Sequence, residues 1–106
     1  MLFRSNERAG LNHLSYEVSD IDAVFQDHEY LMRLGKYEHM WGIGRHLLGS
    51  QIYDYWADPW GRVHEHWSDT DRLNVKNGSN LLSAEEGLVS QWGERPPEKF
   101  IQTVCP

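Results

Sequence analysis

Cysteine is almost missing from this chain. The single Cys105, next to the C-terminus, has no second thiol to pair with, so an internal disulfide is excluded and a reducing compartment is expected. Cys105 itself reads as an inert terminal thiol. Basic residues are scarce too: 10 Lys and Arg stand against 16 Asp and Glu, a net charge of −6, and no Lys/Arg run is interleaved with aromatics. That balance argues against binding of a nucleic-acid backbone. Long hydrophobic runs are absent. No window approaches the roughly 20 apolar residues that span a bilayer, and Met1-Leu2-Phe3-Arg4 lacks the apolar core of a signal peptide. A soluble, cytoplasmic protein with no membrane partner is the expectation.

What is present is a chain of 106 residues, enough for one modest core and too short for two. Five Trp and five Tyr crowd largely into residues 30 to 67, more aromatic surface than a core of this size requires. Some of them are expected to line a pocket or an interface.

Period and punctuation organise the chain. From residue 11 to 18, His13, Ser15 and Glu17 alternate with Leu14, Tyr16 and Val18, the period of a strand. Ser19-Asp20 is a helix N-cap, the apolar residues from Ile21 to Leu34 recur at helical spacing, and Gly35 supplies the stop. Tyr37 to Trp41 reads as a second strand, Trp41-Gly42-Ile43-Gly44-Arg45-His46 as an irregular connection, and Gln51 to Ala57 as a third strand. Asp58-Pro59-Trp60-Gly61 is a turn by composition, and Arg62 to Trp67 makes a fourth strand. The fold class is therefore α+β, a single βαβββ module over residues 11–68. Residues 1–10 read as an N-terminal arm and 69–106 as a C-terminal tail that wraps a module. One short helix is expected in that tail between Ser83 and Trp92, and Pro96-Pro97 cannot sit in a helix interior.

The candidate chemistry starts from His13 on the first strand and Glu65 on the fourth. Side chains two apart on a strand share a face, so Val63, Glu65 and Trp67 point one way and Arg62, His64 and His66 the other. If the first and fourth strands lie in one curved sheet, His13 and Glu65 converge, and Tyr53 or Tyr55 places a phenol beside them. One imidazole and one carboxylate are a partial site for a divalent metal such as Fe(II); a facial triad needs one more His, and no other stands out as that ligand. Each residue also has a plainer reading: His13 as a hydrogen-bonded strand residue, Glu65 as an exposed edge charge, His46 as a solvated loop residue. His28 and His39 read as helix-face and strand-surface residues, and His64 and His66 likewise. Gly42 and Gly44 are not a phosphate loop, because no Lys-Ser/Thr follows and no helix opens there.

Taken together, Leu11-Asn12-His13-Leu14-Ser15-Tyr16-Glu17-Val18, Trp41-Gly42-Ile43-Gly44-Arg45-His46, Tyr53-Asp54-Tyr55-Trp56-Ala57-Asp58-Pro59-Trp60-Gly61 and Val63-His64-Glu65-His66 resemble the type I extradiol ring-cleavage dioxygenases. These belong to the vicinal oxygen chelate, or glyoxalase/bleomycin-resistance, superfamily. The resemblance covers roughly residues 11 to 72 and is to the last βαβββ module of those enzymes. It implies that His13 and Glu65 are metal ligands, that Tyr55 hydrogen-bonds a metal-bound substrate hydroxyl, and that His46 contacts the substrate or bound oxygen. It implies Fe(II) as cofactor, with Mn(II), Zn(II) or Ni(II) as alternatives, and a catechol-type aromatic plus dioxygen as substrates.

The family's other ligating His and its acid–base His belong to a preceding module that these residues do not include. The resemblance therefore implies a partner, either a second copy in a homodimer or a complementing module. Two further readings stay open: a dimeric glyoxalase-like lyase or isomerase, and a non-catalytic binding protein or truncated remnant of the fold.

Overall fold

The structure, a computed structural model, describes residues 10–79, 81–83 and 85–103. The expected N-terminal arm, Gly10 apart, and Cys105 lie outside the described residues. The chain runs β1 (Leu14–Glu17), α1 (Ile21–Leu34), β2 (Glu38–His46), β3 (Ile52–Ala57), β4 (Val63–Ser68), β5 (Ser90–Trp92) and α2 (Glu98–Ile101), with single 3-10 turns at Val75–Asn77 and Glu86–Leu88. The strands form one mixed sheet in the order β1-β4-β3-β2-β5. β1 lies parallel to β4, and every other pairing is antiparallel. This is the expected α+β module of βαβββ order, with one short strand added at its edge.

Helix α1 begins where Asp20, in an extended conformation, accepts a hydrogen bond from the Ala23 amide at 2.8 Å. Asp22 in the first turn and Arg33 in the last complement the helix dipole, and Gly35 ends the helix at φ 62° with its amide on the Leu31 carbonyl. The helix covers one face of the sheet, yet Val24 is its only fully buried residue. Strand β3 is central and buried along its whole length. Tyr53, Tyr55 and Ala57 join Met40, Trp41, Val63 and Phe100 in the apolar cluster on the face away from α1.

The glycine-containing stretch 41–46, expected to be an irregular connection, is strand. β2 continues through it to His46, with register shifts against β3 at His39/Trp41 and Gly42/Gly44. The glycines serve close packing here instead of ending the strand. A Cβ on Gly44 would stand 2.7 Å from Tyr53 Cζ and 2.9 Å from the Trp92 carbonyl oxygen, a buried ring and a backbone atom that cannot swing aside. Gly44→Ala should therefore cost about 1–3 kcal/mol, read as a lowered urea midpoint at unchanged slope.

The tail also departs from expectation. Between Ser83 and Trp92 the structure has a 3-10 turn at Glu86–Leu88 and then strand β5, which pairs with β2 at Arg45↔Trp92 and His46↔Ser90. The α-helix of the tail lies later, starting just after Pro97, where a fixed φ suits a helix start and a missing amide costs nothing. Its Phe100 is buried against the core.

Candidate functional site

The parallel pairing of β1 with β4 sets Ser15 opposite Glu65. With a two-residue period, His13 and Ser15 share the face away from α1 with Glu65, Tyr53 and Tyr55. Glu65 is 3% exposed, on an interior strand and not an edge. Its Oε1 accepts a 2.6 Å hydrogen bond from Ser15 Oγ and lies 3.3 Å from His13 Nε2. Its Oε2 lies 3.3 Å from His46 Nε2, which also meets Tyr55 Oη at 3.0 Å. His46 is buried and not solvated, its ring stacked on Tyr53 with centroids 4.0 Å apart. The four residues singled out from the sequence thus meet around one carboxylate.

Aromatic rings wall this group in. Tyr55 stacks on Trp41 at 5.2 Å, meets the edge of His13 at 5.1 Å and packs against Phe100 at 4.6 Å. A cleft of about 900 Å³ opens over them, lined by His13, Ser15, His46, Tyr55, Glu65 and Phe100 among others.

Burial pushes the Glu65 carboxyl up, but hydrogen bonds from His13, His46 and Ser15, with the His46 charge, outweigh it and hold the group at about 2. Glu65 is an anion at neutral pH. Tyr55 moves the other way: burial first, then the negative charge of Glu65, raise its phenol well above 10, so it stays a hydrogen-bond donor. Burial, opposed by the hydrogen bond with Ser90 and reinforced by Glu65, raises Tyr53 to about 12. His46 Nδ1 is buried with no hydrogen-bond partner among the described residues. The chemistry available is therefore fixed negative charge, a phenol donor and one buried imidazole.

His13 Nε2 and Glu65 Oε1 also suit a metal ion. Two ligand atoms each about 2.1 Å from one ion and at right angles stand about 3 Å apart, close to the 3.3 Å between these two. One nitrogen and one oxygen fill two corners of a facial triad. Among the described residues no second imidazole joins His13 at Oε1, because His46 meets the other oxygen.

On the opposite face a second group assembles that sequence reasoning missed. Asp54, wholly buried, receives His39 Nε2 on Oδ1 at 2.8 Å, and His28 Nδ1 and Trp56 Nε1 on Oδ2 at 2.9 and 2.7 Å. One ligand atom each from His28, His39 and Asp54 lies within 4.8 Å of the others, close enough for one metal ion. His28 and His39 are thus not plain surface residues. The available signal was Asp54 itself, a carboxylate centred in a strand too apolar to leave it without partners. His64 and His66 also face away from the cleft, toward Asp58 at 3.0 Å and Asp27 at 3.9 Å.

Fold and relatives together define the class. The chain has the fold of a single βαβββ module and resembles proteins of the vicinal oxygen chelate superfamily. Metapyrocatechase 2 of Cupriavidus necator is 35% identical over 105 residues, which is 97% of this chain and 32% of that protein. Two solved structures share the fold. A catechol 2,3-dioxygenase superposes with a TM-score of 0.63 at 21% identity, over 88% of this chain and 29% of its own. The Mn(II)-bound glyoxalase from Novosphingobium aromaticivorans gives 0.65 at 22% identity, over 83% and 30%. The chain thus spans about a third of the length of these relatives. No protein-family model matches it. Among the described residues no helix is long and apolar enough to cross a membrane.

Proposed function

We propose that this module supplies part of an extradiol dioxygenase site, in which His13 and Glu65 hold Fe(II) and the cleft takes a catechol-type aromatic and dioxygen. The observation that carries the reading is the convergence of His13, His46 and Tyr55 on the buried, ionised carboxylate of Glu65. Relatives named for catechol chemistry support the choice of substrate class. When bound, iron would supply open coordination positions for a diol and for dioxygen, and the electron exchange between them.

The chain's own side chains do the rest. Glu65 contributes its charge without first losing a proton at neutral pH. Tyr55, held protonated, donates a hydrogen bond to a substrate hydroxyl oxygen. His46 Nε2, bridging Tyr55 Oη and Glu65 Oε2, is the catalytic imidazole at the substrate's edge. Trp41 and Phe100 give a flat aromatic ring an apolar wall and keep water from it. The remaining His ligand comes from a second module, which we take to be a second copy of this chain in a homodimer or a complementing chain. A reducing cytoplasm is the setting that suits Fe(II).

Protein purified anaerobically with iron supplied should carry about one iron per dimer, consume oxygen when catechol is added and turn the solution yellow. His13→Ala and Glu65→Ala should each lose the iron and the oxygen uptake. A metal-free monomer that leaves catechol untouched overturns the proposal.

A further inference from the structure

We propose that His28, His39 and Asp54 form a second metal site, for zinc(II), on the helix-covered face of the sheet. This inference stands apart from the cleft and from any reaction there. Two imidazoles and one carboxylate are a donor set suited to zinc, and here they come from three elements: His28 from α1, His39 from β2 and Asp54 from β3. Their candidate ligand atoms all lie within 4.8 Å of one another. Zinc with bonds of about 2.0 Å and tetrahedral angles sets its ligands about 3.3 Å apart. The hydrogen-bonded pairs stand at 2.8 and 2.9 Å on separate oxygens of Asp54, so side-chain rotation must turn the two imidazoles toward one ion.

Charge points the same way. Asp54 is a fully buried carboxylate, and among the described residues its partners are two imidazoles and an indole, with no Lys or Arg. A buried carboxylate without a permanent cation is costly, and a divalent ion in place of the imidazole protons compensates it. The neighbouring Lys99 is committed to the His39 carbonyl and to Glu38. Trp56 Nε1 donates to Asp54 from outside the donor set, as the partner that fixes a ligating carboxylate does. The His28 and His39 side chains are 24% and 28% exposed, so an ion enters from solvent and a water completes its coordination. Its structural effect is to fasten α1, which fully buries only Val24, to the two strands beneath it.

Equilibrium dialysis of the chelator-treated full chain against micromolar zinc tests this, with His13→Ala removing the cleft's imidazole ligand. The His13→Ala chain should retain about one zinc per chain and melt several degrees higher with zinc than without. His28→Gln/His39→Gln added to it should lose both effects while keeping the circular dichroism spectrum. Retention of zinc by that natively folded triple variant, or no retention by His13→Ala alone, overturns the site. X-ray absorption of cobalt(II) on His13→Ala decides it independently of how the triple variant folds: two imidazoles in the inner shell support the site, and fewer than two refute it.

Discussion

Tyr53→Ala is expected to remove about 3–5 kcal/mol of folding stability, the range for deleting a large aromatic from a packed interior. Tyr53 has no exposed surface and sits on the central strand. Its ring stacks on His46 at 4.0 Å and packs on Trp41 at 4.4 Å, while its hydroxyl shares a 2.6 Å hydrogen bond with Ser90 Oγ on β5. The substitution removes both the platform under His46 and one tie to the added strand. Tyr53→Phe separates these contributions: it keeps the ring and loses only the hydroxyl contact, for about 1 kcal/mol. Urea unfolding of the two variants checks the pair. Equal losses would mean that the Ser90 contact, and not the ring, dominates.

Acid should act on the protein chiefly through Glu65. The folded carboxyl lies at about 2, below the ordinary value of 4.5. A depressed folded value means that the associated stability is fully present above pH 4.5 and is lost as pH falls from there toward 2. The difference amounts to about 3 kcal/mol. Glu65→Gln should flatten the dependence of unfolding free energy on pH in that window. It should also lower stability at pH 7, because His13 and His46 lose their buried counter-charge. Denaturant unfolding at a series of pH values from 7 down to 2.5 measures both. A variant whose slope in that window matches the parent's would show that other carboxylates carry the acid sensitivity.

How far the sequence disclosed this molecule varied with the physical range of each signal. Local signals were reliable: the Asp20 cap, the Gly35 stop and the two-residue alternation around His13 and Glu65 correspond to α1, β1 and β4. Gly42 and Gly44 misled, because a glycine that admits a neighbouring ring looks like one that breaks a strand. Only the packing of Tyr53 against Gly44 tells them apart. The tail misled for a similar reason. Ser90-Gln91-Trp92 becomes strand because the edge of β2 offers it hydrogen bonds, which no local propensity reveals. Alternation assigned Glu65 a face, but that β1 lies beside β4 is a long-range fact, and the motif resemblance pointed to that convergence more strongly than any spacing. The group around Asp54 had no such help. Its members sit on three separate elements and meet only when α1 folds over β2 and β3.

Phe100 sits in a helix of four residues that belongs to none of the strands carrying His13, His46, Tyr55 or Glu65, yet it forms one wall of their cleft. The width of the opening is therefore under separate control from its polar groups. Exchanging Phe100 for a smaller side chain would widen the chamber while leaving the strand pairings in register. The size of the cleft is thus set in part by a short appended segment, apart from the strands that carry its polar groups.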